Sequence, residues 1–302
     1  MVMDGHALAR KGQARRALEI SLYSSVIGDL FSTILLIAAA TSLAAVAVRF
    51  GPPEFVMLYL LALVTIASVS GRHAPKAVFS TGLGFLIACI GLDPMSGAQR
   101  FTFGNTDLIG GIGLIPLLIG LFALSEVFTE VEKMRPRLEF LKVGQDEPRA
   151  TLADMRRVAP AVARSSGIGF FIGILPGIGA EIACWLSYGF AKRQSKNPEE
   201  FGHGSIEGVA AAESGANAAC PGDLVPMMVF GIPGDTVTAV LLGAFMAQGL
   251  IPGPQLFEKH ATLVYGFFAV LLISNLMLLG IGYLFIRYLR GITMIAPGLL
   301  YP

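Results

Sequence analysis

The 302-residue chain is too apolar and too poor in charge to be an ordinary water-soluble domain. The residues AVILMFWYC make up 54% of it, and only 14% are Asp, Glu, Lys or Arg, against about 25% in a typical soluble domain. A net charge of +1, from 22 basic and 21 acidic residues, gives no overall field that would attract nucleic acid, so nucleic acid is not an expected partner.

Five ordinary membrane spans are predicted, because each apolar run reaches or approaches the 20 or so residues that cross a bilayer. Their ranges are 22–48, 54–70, 75–92, 112–128 and 263–286. Basic residues in short loops are retained in the cytoplasm, so the basic N-terminal arm predicts a four-span segment over 1–128 with a cytoplasmic N-terminus. The Lys- and Arg-rich linker at 129–160 is then the main cytoplasmic loop.

The remaining segment, 161–302, is predicted to contain interrupted helices before the final span. Gly and Pro interrupt it at three motifs, which are LPGIG at 175–179, ACPGD at 219–223 and GIPGD at 231–235. Basic residues flank 161–191 on both sides, which predicts a re-entrant hairpin that turns at LPGIG, with arms too short to cross the bilayer. The segment 205–250 is predicted to be a broken helix that crosses once overall.

GHALA at 5–9 and GAFMA at 243–247 are weakly similar, which suggests an internal repeat. The predicted topology puts the first copy inside and the second outside, as an inverted repeat would. The spacing to the glycine that follows each copy differs, so a chance match is the alternative. The predicted fold class is an all-α polytopic membrane protein, with 1–302 as a single transmembrane domain that forms part of an inverted-repeat secondary transporter.

The helix breaks mark a candidate binding site, because unpaired backbone groups at membrane depth are tolerated only beside protein or a wet cavity. The half-helix N-termini after LPGIG and GIPGD would offer N–H groups to an anion, and the carbonyl ends before them suit Na⁺. Tight turns at the ends of two spans are the alternative interpretation. The residues assigned to this site are Pro176, Gly177, Gly179, Gly231, Pro233, Gly234, Asp235 and Thr236.

Polar residues in the small-residue stretch 207–226 form the second part of the candidate site, since polar groups inside membranes are costly and usually functional. Ser214 and Asn217 are three residues apart, so one helix face would present both to a carboxylate or to Na⁺. Hydrogen bonding between helices is the alternative. Glu213 is a candidate proton or Na⁺ site, or merely reaches cytoplasmic water, and Asp235 is expected to cap the helix after it.

The sequence contains no motif of an enzyme. HExxH, GxSxG, the Walker A sequence and a strand-flanked GxGxxG are all missing from it. The four histidines and three cysteines show no spacing of metal ligands. The chain is therefore predicted to be neither an enzyme nor the holder of a cofactor or of a firmly bound metal.

Several longer motifs together resemble the large membrane subunit of tripartite tricarboxylate transporters, the TctA family. They are RFTFG (100–104), GLFALSE (120–126), GILPGIGAEIA (173–183), FGHGSIEGVAAAESGANAA (201–219) and LVPMMVFGIPGDTVTAVLLGAFMAQGLIPGP (224–254). The resemblance implies a multi-pass inner-membrane subunit for carboxylate uptake that works with a periplasmic binding protein and a small membrane subunit, driven by a Na⁺ or H⁺ gradient. It also implies that the chain lacks both ends of the family's domain and does not transport by itself.

The same resemblance implies which positions form the site. They are Pro176, Gly177, Glu213, Ser214, Asn217, Pro233 and Gly234. The chain departs from the family pattern in reading ESGANAA at 213–219 and in having Asp235 where a small hydroxyl residue is common. Two alternatives to secondary transport stay open, a channel or passive pore, and a non-transporting scaffold of a membrane complex.

Overall fold

The computed structural model describes four long stretches of the chain, residues 2–47, 74–93, 96–113 and 148–288. It also describes shorter pieces between them, at 51, 53–54, 56–57, 60, 63–64, 116–117, 119–124 and 128. The predicted span 54–70 lies largely outside the described residues, as does much of the predicted linker at 129–160. The predicted span 112–128 is described in part, at 112–113, 116–117, 119–124 and 128.

The described residues are mainly α-helical. In chain order the α-helices are α1 (Val2–Arg10), α2 (Ala14–Ala47), α3 (Ala74–Ala88), α4 (Leu152–Gly173), α5 (Gly179–Gln194), α6 (Ile206–Phe230), α7 (Thr236–Ala247), α8 (Pro254–Lys259) and α9 (Ala261–Tyr288). Two short strands, β1 (Gly91–Leu92) and β2 (Gln99–Arg100), pair antiparallel with Gly91 opposite Arg100. Single turns of 3-10 helix lie at Thr106–Leu108 and Pro198–Glu200, and a π-helical turn lies at Ile119–Leu124.

Two of the described helices are long and apolar enough to cross a membrane. They are Ala14–Ala40 within α2 and Ala261–Arg287 within α9, each of 27 residues. At 1.5 Å per residue each measures about 40 Å, more than the roughly 30 Å hydrocarbon core. They correspond to the predicted spans 22–48 and 263–286, and they agree with an all-α membrane protein.

Helix α3 is shorter than the predicted span 75–92. It ends at Ala88, and the chain then enters the hairpin of β1 and β2. The Asp93 carboxylate accepts hydrogen bonds from Ser96 Oγ and Arg100 Nη2, each at 2.6 Å. This charged turn ends the apolar helix early, because an ion pair is more stable in water than in lipid.

Helix α4 begins at Leu152, inside the predicted linker 129–160 and well before the predicted start of the hairpin at 161. Thr151 and Asp154 form a capping box, in which each side chain accepts from the other's backbone N–H. With 22 residues α4 is about 33 Å long, but its first part carries Arg156 and Arg157, and it is not among the described helices that are apolar enough to span a membrane. Helix α5, with 16 residues, is about 24 Å long and stays below the length needed to cross the bilayer. The re-entrant hairpin therefore stays a prediction.

Helix α6 lies at the centre of the described fold and packs on α2, α4 and α5. Its small residues allow this close approach, since Ala210, Ala211, Ala218 and Ala219 are fully buried. A Cβ added at Gly169 of α4 would overlap the carbonyl oxygen of Gly215, and one added at Gly28 of α2 would lie 2.5 Å from that of Ser214. Backbone therefore packs directly on backbone along both sides of α6.

The break predicted at ACPGD is absent, because α6 runs without interruption from Ile206 to Phe230 in the described structure. Pro221 and Pro226 lie inside it. Each proline removes a helical hydrogen bond and costs about 3 kcal/mol in an exposed helix. Burial of this half of α6 against its neighbours offsets that cost, because Leu224, Val225, Met227, Met228 and Val229 all belong to the main apolar core.

The short helix α1 is attached to the loop before α6 by one carboxylate. Asp4 is 2% exposed, and its Oδ1 accepts from the backbone N–H groups of Gly202, Gly204 and Ser205 at 2.8, 2.8 and 2.9 Å. Its Oδ2 accepts from the hydroxyl of Tyr188 on α5 at 2.8 Å. Asp4 thereby joins α1, α5 and the start of α6.

Candidate functional site

The two helix breaks predicted to share a site lie side by side. One break separates α4 from α5 at LPGIG, and the other separates α6 from α7 at GIPGD. The backbone N–H of Gly177 donates to the carbonyl oxygen of Gly234 at 2.7 Å. Gly179 and Gly234 are buried here, while Pro176, Gly177, Gly231 and Pro233 are half-buried.

Each break follows from a glycine with left-handed backbone. Gly231 ends α6 with a φ of 69°, and its N–H donates to Met227 O while that of Ile232 donates to Pro226 O at 3.2 Å. The bond from Gly231 to Met227 is that of an αL helix cap, a position that glycine favours because it has no Cβ. Gly177 has a φ of 81° and turns the chain between α4 and α5 in the same way.

The N-termini of the two following helices differ. Asp235 caps α7, as predicted, since its Oδ1 accepts from the Thr238 N–H at 2.7 Å and its own N–H donates to Thr238 Oγ1 at 2.8 Å. Its carboxylate therefore occupies the place that was expected to be open to an anion. At α5, by contrast, no side-chain cap exists among the described residues. Thr236, also assigned to the site, is exposed in the first turn of α7.

Asp223 on α6 lies against the GIPGD break. It is one of the polar residues of the stretch 207–226, but the sequence alone assigned it no role as a binding residue. It is 0% exposed, and neither carboxylate oxygen has a hydrogen-bond partner in the described part of the chain. A Cβ added at Gly234 would lie 2.7 Å from both Cβ and Oδ1 of Asp223. An acid in an otherwise apolar, proline-containing half of a helix is the signal that singled it out, and its contact with Gly234 is what the sequence did not show.

A second polar cluster lies on α6 nearer its N-terminus than Asp223, where Asn217 and Glu213 contact Ser25 of α2. Asn217 Nδ2 donates to Ser25 Oγ and to the Glu213 carbonyl, each at 2.9 Å. Ser25 Oγ in turn donates to Glu213 Oε2 at 3.3 Å. Asn217 thus bonds between helices, which was the alternative to ligand binding. Six residues separate Asn217 from Asp223, or about 9 Å along the helix.

Ser214 does not join this cluster. It is fully buried, and its hydroxyl donates to the Ala210 carbonyl of its own helix at 2.7 Å. In this structure Ser214 and Asn217 therefore have separate partners, and their joint binding of one ligand stays a prediction. The spacing of three residues put them on one face, but the close approach of α2 at Gly28 covers Ser214.

A third polar contact links α2 to α9 at membrane depth. Asn275 is 3% exposed, and its Nδ2 donates to Asp29 Oδ2 at 2.7 Å. Within the residues that the structure describes, no three His, Cys, Asp or Glu side chains are grouped so as to hold a metal ion. The candidate site therefore consists of backbone groups at two breaks, one buried carboxylate and a separate polar cluster on α2 and α6.

Comparison with known proteins gives one family. The family model described as "Tripartite tricarboxylate transporter TctA family" matches residues 1–302. Two similar proteins come from Agrobacterium vitis. One, described as an uncharacterized 52.8 kDa protein in the TAR-I ttuC' 3' region, is 37% identical over 279 residues, which are 91% of this chain and 55% of that protein. The other, described as an uncharacterized protein in the TAR-II ttuC' 3' region, is 46% identical over 110 residues, which are 36% of this chain and 46% of that protein.

The chain thus spans about half the length of the curated relatives that it matches. No solved structure matches it at a significant level.

Proposed function

Because the chain belongs to the tripartite tricarboxylate transporter TctA family, we propose that it forms part of the membrane subunit of a secondary transporter for a tricarboxylate or a related carboxylate. The observation that carries this proposal is the direct backbone contact between two helix breaks, from Gly177 to Gly234. Paired broken helices that meet at one place are typical of secondary transporters, in which half-helix ends bind the substrate and the coupling ions.

The N-terminus of α5 is the part of this site best suited to a substrate carboxylate. Its first backbone N–H groups carry the positive end of the helix dipole, and within the described chain no side chain caps them. Gly179, the first residue of α5, is buried, and a Cβ added there would lie 3.0 Å from Glu181 Oε2 and 3.2 Å from Asp235 Cβ. A ligand at this N-terminus would therefore lie beside these two acidic side chains. The N-terminus of α7 is less suitable, because Asp235 already satisfies it.

The acidic groups nearby favour transport together with a cation. Glu181 lies in the first turn of α5, and Asp235 lies across the break from it. Two carboxylates beside an anionic substrate would repel it, so a Na⁺ or H⁺ that enters with the substrate lowers the energy of the loaded state. The proposed partners are a periplasmic binding protein that delivers the carboxylate and a small membrane subunit, and the proposed location is the inner membrane.

The test is uptake of radiolabelled carboxylate by the full-length subunit, reconstituted with its binding protein and small subunit. Saturable, gradient-driven uptake that requires the binding protein is expected, whereas unsaturable flux without it would indicate a passive pore and contradict the proposal. Asn217→Ala removes the side-chain contact from α6 to Ser25, so we expect uptake to fall at least tenfold. Gln255→Ala, at an exposed position of α8, is the control and should keep wild-type uptake.

A further inference from the structure

Asp223 is buried without compensation. Its carboxylate oxygens contact no hydrogen-bond donor in the described residues, and the ion pairs that the structure shows there do not include it. Burial of an unpaired carboxylate costs several kcal/mol. A chain that keeps such a group at membrane depth gains nothing in stability from it, so the group points to a ligand that supplies positive charge.

The charged groups that face Asp223 are also acidic. Asp235 at the start of α7 and Glu181 on α5 both interact with it electrostatically. The facing part of α4, residues 166–173, contains no titratable side chain. Asp29 of α2 interacts with Cys220 but is not among the groups that interact with Asp223. Cys220 lies one turn earlier on α6 and interacts with all of these carboxylates. The surroundings thus favour a cation from several directions.

Backbone oxygens add to this preference. The C-terminal ends of α4 and α6 both point to the breaks, and each carries the negative end of a helix dipole. Pro226 has no N–H, so it leaves the carbonyl of Gly222 without its usual helical donor, next to Asp223 in the chain. The Phe170 carbonyl oxygen would lie 2.6 Å from a Cβ added at Gly222, and it already accepts from the Ile174 N–H at 3.2 Å. Oxygen ligands of this kind suit Na⁺ or a proton.

On the basis of the proposed transport function, we propose that Asp223 is the site at which the coupling cation, H⁺ or Na⁺, binds. The site lies where the breaks of α4–α5 and α6–α7 meet. When the cation binds, it neutralises a negative charge close to the N-terminus of α5, so the substrate carboxylate binds more tightly there. By thermodynamic linkage the carboxylate then raises the affinity for the cation by the same factor.

The experiment measures carboxylate accumulation by the reconstituted full-length transporter under separate Na⁺ and pH gradients. Asp223→Asn keeps the size of the side chain and removes its charge. We expect it to reduce gradient-driven accumulation at least tenfold while carboxylate exchange without a gradient persists. Accumulation at the wild-type level, with the same dependence on Na⁺ and pH, would overturn the proposal. If accumulation by the wild-type protein responds to a Na⁺ gradient at constant pH, the cation is Na⁺. If it responds to a pH gradient without Na⁺, the cation is H⁺.

Two further measurements keep the proposal testable if Asp223→Asn does not fold. Asp235→Asn retains a capping side chain but removes a negative charge near Asp223, so the half-saturating cation concentration should rise roughly tenfold. No shift in that concentration would contradict the proposal. Glu258→Gln, an exposed acid on α8, is the matched control and should leave it unchanged.

Failure of the transport proposal is distinguishable from failure of this one. The melting temperature of the purified wild-type protein should depend on Na⁺ (against choline) or on pH above the range in which Asp154 titrates, and Asp223→Asn should abolish that dependence. If the wild type takes up no carboxylate but shows this dependence, the proposed function fails and the cation site stands. If the wild type transports and Asp223→Asn changes neither the coupling nor the melting behaviour, the cation site fails alone.

Discussion

Replacement of Asp4 by Ala should be among the most destabilising single changes in the described chain. Asp4 accepts four hydrogen bonds, three from backbone N–H groups and one from Tyr188. A hydrogen bond to a charged group contributes about 1.5–3 kcal/mol, and the freed loop amides regain some of it from water. We therefore expect a loss of about 4 kcal/mol in the free energy of unfolding.

Two matched variants separate the contribution of the Tyr188 hydrogen bond from that of the three backbone hydrogen bonds. Tyr188→Phe removes one bond and should cost about 1 kcal/mol, and Asp4→Asn keeps an acceptor oxygen for the backbone amides and should cost about half as much as Asp4→Ala. The assay is SDS titration in mixed micelles, followed by fluorescence. The single tryptophan, Trp185, lies 6.4 Å from the Tyr188 ring and reports on this region. A loss below about 1 kcal/mol in Asp4→Ala, or equal losses in all three variants, would refute the reasoning.

Two further predictions concern the breaks and the N-terminal end of α4. Gly234→Ala places a Cβ 2.7 Å from Asp223, so carboxylate uptake should fall at least tenfold, whereas Gly82→Ala, with nothing within 4 Å among the described residues, should leave uptake unchanged. Burial alone would raise the pKa of the Asp154 carboxyl, but hydrogen bonds from Arg16 and Thr151 outweigh burial and lower that pKa. The unfolded chain then binds this proton more tightly, so stability is lost as the pH falls below about 4, and Asp154→Asn should flatten the melting temperature in that range.

The sequence predicts the helix breaks correctly where glycine controls the local backbone. Gly177 and Gly231 both have left-handed φ, and Asp235 followed by Thr238 is a capping signal that needs no tertiary information. These features depend on residues that are adjacent in the chain. The contact of one break with the other was also expected, because both were assigned to one site.

The remaining differences arise from packing between distant segments. Pro221 predicts a break, yet the helix continues because α2 and α4 bury it from both sides. Ser214 has the spacing of a site residue, but Gly28, far away in sequence, brings α2 over it. Asp223 is exceptional because of what surrounds it, namely Gly234, Asp235 and Glu181. None of these neighbours is visible from local propensity.

The bond between Gly177 and Gly234 involves main-chain atoms only. Substitutions that adapt the surrounding side chains to a different carboxylate can therefore leave this hydrogen bond unchanged. One such bond is worth about 1 kcal/mol net, so thermal motion can part the two loops and rejoin them readily. A contact of this strength could separate and reform at low cost, which the proposed transport function would require.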